Sequence, residues 1–137
     1  MATARDVMST DTQCVQEDQT LADAARLLRD LNVGALPICG NDNRLKGMLT
    51  DRDIVVRCIA EGGDPQSTKA RELAQGKPVT VGADDDITVA LSTMSQHKVR
   101  RLPVIDGHDL VGMISQADIA RNLPDDRIGD LVEAISA

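Results

Sequence analysis

One pattern occurs twice along this chain, and the duplication restricts it to an architecture of two like halves. Ala4-Arg5-Asp6-Val7 returns 66 residues later as Ala70-Arg71-Glu72-Leu73. Val33, followed by Leu36-Pro37-Ile38, returns as Val99, followed by Leu102-Pro103-Val104. The run Leu45-Lys46-Gly47-Met48-Leu49-Thr50, closing on Asp53-Ile54, returns at an offset of 65 as Leu110-Val111-Gly112-Met113-Ile114-Ser115, closing on Asp118-Ile119. The lost residue falls in the intervening turn, where deletion is tolerated. Two copies make a pseudo-symmetric pair, not a solenoid. Each half is only roughly 65 residues long, a marginal core by itself, so burial of one half against the other is expected.

The first copy reads β-α-β-β-α. Cys14-Val15 is a short extended segment. Thr20 caps a helix and Asp23 returns the bond, after which Leu21, Ala24, Ala25, Leu28 and Leu31 recur at helical spacing. Asn32-Val33-Gly34 ends this helix. Ala35 to Cys39 reads as a strand. Its Pro37 cannot donate to a ladder and belongs at a strand start, an edge or a bulge. Gly40-Asn41-Asp42-Asn43 turns the chain into a second strand, Leu45 to Leu49, completing a hairpin. Thr50 caps a second helix carrying Ile54, Val55 and Ile59, and Glu61-Gly62-Gly63-Asp64-Pro65 breaks it. The second copy places a strand at Val79 to Val81, a helix from Asp86, a hairpin turn at Asp106-Gly107 and a helix from Ser115. After Pro124, the residues Ile128, Leu131, Val132 and Ile135 share one face of an amphipathic segment suited to packing on the body or on a second subunit.

Several function classes fall away on composition. The chain has no Phe, Tyr or Trp, which removes the aromatic platforms of single-strand nucleic-acid binders, and its formal charge of −7 opposes a polyanion. No run approaches the ~18 apolar residues of a membrane span, and no signal-peptide segment opens the chain, so the cytoplasm is the expected compartment. Cys14, Cys39 and Cys58 form no CxxC pair, so a structural zinc is not expected. His97 and His108 flank the strand at Val99 to Ile105 and cannot share a metal within one subunit, which leaves only an intersubunit site. No Ser/His/Asp or Cys/His set and no Walker loop is present, and Asp51 and Asp53 sit at a helix start, where acidic residues are ordinary. An enzyme is not expected.

The repeated order, with Leu-Pro before the hairpin and Gly-x-x-Thr/Ser-x-x-Asp closing it, resembles the cystathionine-β-synthase (CBS) domain, here as a tandem pair or Bateman module. The strings GALPICG (Gly34 to Gly40), GMLTDRDIV (Gly47 to Val55), KVRRLPVI (Lys98 to Ile105) and ADIAR (Ala117 to Arg121) are similar to stand-alone, hypoxia-response members of that family. The resemblance implies an α/β (α+β) fold with one repeat over 7–65, another over 73–130, and pseudo-twofold symmetry between them. It also implies a regulatory homodimer with no required cofactor, holding AMP, ATP or S-adenosylmethionine in a cleft between repeats and signalling to a protein partner.

Carried onto these residues, the resemblance assigns the ribose hydroxyls to Thr50 with Asp53 and to Ser115 with Asp118. A carboxylate accepts two vicinal hydroxyl protons well, and the motif glycine would let the backbone approach the ligand. The same Thr/Ser-x-x-Asp spacing is also a capping box, which serves only the helix. Phosphates would fall to Arg100 and Arg101, the pair before Leu-Pro, assisted by Arg57 and Arg121. The first-copy counterparts of the pair are Gly34 and Ala35, so at most one phosphate site is well equipped. Val15, Ile38, Val81 and Val104 would line an adenine slot, or else are plain core. In the CBS fold the strands carrying Cys14 and Cys39 are neighbours, and a disulfide there competes with three buried thiols. A second function class stays open: a ligand-free, disulfide-stabilised structural or stress-response dimer acting through protein contacts.

Overall fold

The computed structural model describes residues 2–74 and 78–122. The expected apolar face at Ile128, Leu131, Val132 and Ile135 lies outside the described residues. The chain divides into two compact units, one of Gln13–Pro78 and one of Met1–Thr12 with Val79–Ala137. The first-repeat unit contains β1 (Val15–Gln16), α2 (Leu21–Leu31), β2 (Ala35–Cys39), β3 (Leu45–Thr50) and α3 (Asp51–Asp53). A π-helical stretch (Ile54–Ile59) prolongs α3, and a 3-10 turn (Ala70–Glu72) follows. The second-repeat unit contains α1 (Ala4–Val7), β4 (Val81–Gly82), α4 (Ile87–His97), β5 (Arg101–Asp106), β6 (Asp109–Ser115) and α5 (Gln116–Ala120). The α/β class and the twofold β-α-β-β-α order are as expected.

Each unit holds one three-stranded sheet, β1-β2-β3 or β4-β5-β6, with the first pair parallel and the second antiparallel. The duplicated proline finds its place in the register. β1 joins β2 only from Ile38 onward and β4 joins β5 only from Val104 onward, so Pro37 and Pro103 have a strand on one side alone. A bulge follows at Ile38/Cys39 and at Val104/Ile105. An imino acid is tolerated at such an edge.

The two cores correspond position by position. Val15, Ala24, Leu28, Leu36, Ile38, Leu49 and Ile54 form the first, and Val81, Ala90, Met94, Leu102, Val104, Ile114 and Ile119 the second. Three expectations need correction. On α2, Ala25 faces solvent and Leu27 packs against the core instead, because the buried stripe runs through Leu21, Ala24 and Leu28. The strand expected at Val79 to Val81 begins only at Val81, where pairing with Val104 starts. The helix after Thr50 does not bury Ile54, Val55 and Ile59 together. Ile54 and Cys58 are buried, whereas Val55 and Ile59 are 55% and 53% exposed. The π winding, with the Ala60 N–H donating to the Val55 carbonyl at 2.8 Å, changes the angle between successive residues.

The segment that introduces each repeat bonds to the turn after the first strand of the other. Before the first repeat, Ala4 N–H donates to the Asp85 carbonyl and Arg5 N–H to the Ala83 carbonyl, both at 2.9 Å. Before the second, Ala70 N–H donates to the Gln19 carbonyl at 2.8 Å and Arg71 N–H to the Glu17 carbonyl at 3.0 Å. These acceptors are counterparts 66 residues apart, so the repeated Ala-Arg-Asp/Glu string marks a reciprocal exchange. The motif glycines make room for it. A Cβ at Gly112 would lie 2.7 Å from the Ser9 carbonyl oxygen, and one at Gly47 would lie 3.0 Å from the Ala74 Cβ. The space expected to admit a ligand beside the glycine is filled by the chain itself.

Candidate ligand-binding site

In the second-repeat unit the end of β6 and the start of β5 lie side by side, with Arg101 directly across from Ser115. The Arg100 carbonyl accepts the Gln116 N–H at 2.8 Å, so both arginines flank the turn into α5. There Ser115 and Asp118 form a complete capping box. Ser115 N–H donates to Asp118 Oδ2 at 2.8 Å and Asp118 N–H donates to Ser115 Oγ at 3.1 Å. Arg121 Nη2 donates to Asp118 Oδ1 at 3.2 Å. The two roles weighed for this motif are therefore compatible. A carboxylate offers about four acceptor positions; the cap takes one and Arg121 another, which leaves two on a side chain whose orientation is already fixed.

The first-repeat unit repeats the backbone and not the charges. Ala35 lies across from Thr50, and the Gly34 carbonyl accepts the Asp51 N–H at 3.0 Å. Thr50 N–H donates to Asp53 Oδ2, and Asp53 N–H to Thr50 Oγ1, both at 3.0 Å. A Cβ on Gly34 would meet the Asp51 carboxylate at 3.6 Å, so a negative group stands where the other unit has Gln116. Arg57 is held inside its unit: its Nη1 donates to the Leu73 carbonyl at 3.0 Å and lies 3.8 Å from Asp53 Oδ1. Arg57 and Arg121 are not counterparts, for Arg57 stands four residues after Asp53 and Arg121 three after Asp118. Arg100 and Arg101, in contrast, are exposed and make no side-chain hydrogen bond or ion pair among the described residues.

Val15 pairs with Ile38 and Val81 with Val104 across the parallel strands, and none of the four is more than 2% exposed. Each pair sits inside the core of its own unit. Cys14 and Cys39 are joined by a disulfide spanning 25 residues, with Cys14 just ahead of β1 and Cys39 closing β2. Cys58 is a buried free thiol, its Sγ 3.8 Å from Thr68 Oγ1. His97 and His108 are exposed at opposite ends of β5, and no three His, Cys, Asp or Glu side chains among the described residues come together to hold a metal. No described helix is long and apolar enough to cross a membrane.

Two features escaped sequence reasoning. The exchange of lead-in segments had a signal, the Ala-Arg-Asp/Glu repeat, but nothing local says which turn a segment meets. Capture of Arg57 by the Leu73 carbonyl had none, because a backbone acceptor 16 residues away leaves no mark in composition or period.

Residues 4–59 and 70–125 match the family described as the CBS domain. Hypoxic response protein 1 of Mycobacterium tuberculosis is 50% identical over 135 residues, which cover 98% of this chain and 94% of that protein. A crystal structure of hypoxic response protein I with two coordinated zinc ions has a TM-score of 0.84 at 51% identity, covering 90% of this chain and 100% of that one. The crystal structure of CBSX2 in complex with AMP has a TM-score of 0.78 at 23% identity, covering 89% of this chain and 96% of that one, a likeness of fold alone.

Proposed function

This chain belongs to the CBS-domain family, and we propose that it is a regulatory homodimer whose second-repeat unit binds an adenosyl ligand. The observation that carries the reading is the pairing of Arg101 with Ser115. It sets the backbone of two arginines beside the strand end that leads into Asp118, whose carboxylate has two acceptor positions left, on a chain whose formal charge is −7. Asp118 receives the two ribose hydroxyls, and Arg100 and Arg101 receive phosphate through charge-assisted hydrogen bonds. The base rests on aliphatic surface, since the chain has no aromatic residue. That CBSX2 holds AMP on the same fold supports this reading. A ligand that binds one conformation better than another shifts the population between them, and a protein partner reads the shift.

Thr50 and Asp53 offer the same ribose contacts without a phosphate partner, so the first-repeat unit is the weaker site. Among AMP, ATP and S-adenosylmethionine, the arginine pair favours the anionic ligands over the cationic sulfonium. Calorimetric titration with all three, with and without reductant, tests this. The expected result is saturable binding of the nucleotides, lost in Asp118→Ala, with a stability cost of only about 1 kcal/mol for the broken cap. No heat from any ligand overturns the reading.

One observation favours a second reading, that of a dimer acting through protein contacts alone. Val55, Val56 and Ile59 present exposed apolar surface on one helix, and such patches mark interaction faces. A second copy of the chain is the occupant this reading requires. Light scattering on Val55→Glu/Ile59→Glu should then report a monomer; a dimer that survives both substitutions would remove its support.

A further inference from the structure

We infer that the Met8 thioether is an oxidation site, and that taking one oxygen from a peroxide there loosens the N-terminal lead-in from the second-repeat unit.

The described methionines differ in reach and in seat. Met94 has no exposure in the second core, so no oxidant meets it in the folded chain. Met48 and Met113, counterparts on the outer strands of the two sheets, are half-buried, and neither belongs to a core cluster. Met8 is half-buried and also packs against the second core. Its Sδ and Cγ would lie 2.7 Å and 3.1 Å from a Cβ on Gly112, so the side chain fills the space that the glycine leaves. Both residues belong to the second-repeat unit. In the first-repeat unit Ala74 stands at the same place over Gly47, with its Cβ at 3.0 Å. Only one of the two equivalent seats carries a sulfur.

The surroundings of that seat decide what an added oxygen does. Apart from Met8 itself, the atom nearest the Gly112 Cβ position is the Ser9 carbonyl oxygen, at 2.7 Å. It is an acceptor already taken by the Met113 N–H at 3.0 Å, while the Ser9 N–H donates to the Met113 carbonyl at 2.8 Å. A sulfoxide oxygen only accepts, so at the nearest polar atom acceptor faces acceptor. Hydrogen peroxide alone balances the step. The sulfur lone pair attacks one peroxide oxygen and the O–O bond breaks. The proton on that oxygen passes to the departing hydroxide, which leaves as water. Sulfur gives up two electrons and the peroxide gains them. An adaptable apolar filler thereby becomes a bulkier polar group. Met8 adjoins two anchors of the lead-in: its N–H donates to the Ala4 carbonyl at 2.9 Å, and Ser9 bridges to Met113 of β6.

The test is amide hydrogen exchange with peptide mass mapping, on the full chain before and after hydrogen peroxide. A Cys58→Ala background removes the free thiol. Sulfoxide should form at Met8. Exchange at Ala4, Arg5, Ser9 and Met113 should then rise roughly tenfold, as for overpacking of a filled seat. Ala70 and Arg71, in the other lead-in, should not change. Met8→Leu keeps the volume without the sulfur and should exchange like the parent with or without peroxide. Met113→Leu should loosen as the parent does, and a methionine sulfoxide reductase should restore the parent pattern. Three results overturn the inference: Met8 left as thioether while Met48 and Met113 are oxidised, a Met8 sulfoxide with unchanged exchange, or equal loosening in Met8→Leu.

Discussion

The two units share a backbone and a core, yet they differ in what they add to it. The first-repeat unit adds a covalent tie, Cys14–Cys39, and a prolonged helix with an apolar exposed face. The second-repeat unit has Thr80 and Ile105 at the cysteine positions and adds cations instead, at Lys98, Arg100 and Arg101. The Arg5 guanidinium completes its clasp on α1, reaching Asp106 at 3.0 Å and Asp84 at 3.4 Å; its counterpart Arg71 has Asp18 and Gly40 at the equivalent positions. Duplication thus preserved what packing demands and let surface chemistry diverge. The disulfide and the exposed apolar face belong to one copy, and the exposed cations to the other.

The sharpest way to break that equivalence is through the cores. Leu49 and Ile114 are counterparts with no exposure, so Leu49→Ala and Ile114→Ala should each cost about 3–4 kcal/mol in urea unfolding. A large inequality would mean the cores are not equivalent. Removing the disulfide should come next. Cys14→Ser/Cys39→Ser opens a loop spanning 25 residues, worth about 3.5 kcal/mol in the chain-entropy model. Hydrogen exchange should show the loss concentrated in β1 and β2, with β4 and β5 unaffected.

The glycines come third. Gly112→Ala places a methyl 2.7 Å from a backbone oxygen, whereas at Gly47 the nearest atoms are the Ala74 Cβ at 3.0 Å and Cα at 3.3 Å. Overpacking of this kind costs about 2 kcal/mol, so Gly112→Ala should lower the melting temperature more than Gly47→Ala. A charge transplant is a smaller effect. Gly34→Arg/Ala35→Arg/Asp51→Gln gives the first-repeat unit the arginine pair and Gln116 of the second, and should raise nucleotide affinity there by about tenfold, read in an Asp118→Ala background.

The least effect is expected from acid. The Arg26 guanidinium holds the Asp23 carboxyl below its usual range, the Arg44 N–H does so for Asp42, and the Thr3 N–H for Asp6. A carboxylate lowered by folding stabilises fully above the usual carboxylate range and loses that contribution as pH falls through the lowered value. Two of these groups are in the first-repeat unit and one in α1 of the other. Melting between pH 7 and pH 3 should therefore fall in the acid range, and more so for the first-repeat elements by exchange.

Much of the fold was legible because the signals are local and occur twice. Thr20–Asp23, Thr50–Asp53 and Ser115–Asp118 all form the capping boxes that their spacing announces. The turn at Gly40 to Asn43, with Asn43 at φ 62°, breaks the strands where it should. Of the candidate site the backbone adjacency alone was legible: Arg100 and Arg101 adjoin the strand end that carries Ser115 and leads into Asp118. It was less legible where one residue has several suitors, as with Arg57, or where winding departs from 3.6 residues per turn, as from Ile54 to Ile59.

By itself the amino-acid sequence determined the duplication, the helix caps, the hairpins and the charge difference between copies, since each depends on neighbours within a few residues. Only the tertiary structure decided that each lead-in segment bonds to the other repeat's first turn, that the motif glycines admit chain, and that Val55 and Ile59 face outward. Those outcomes depend on which distant surfaces meet. Pairing energy across 50 or more residues is written in the complementarity of two surfaces, and no single stretch of chain holds it.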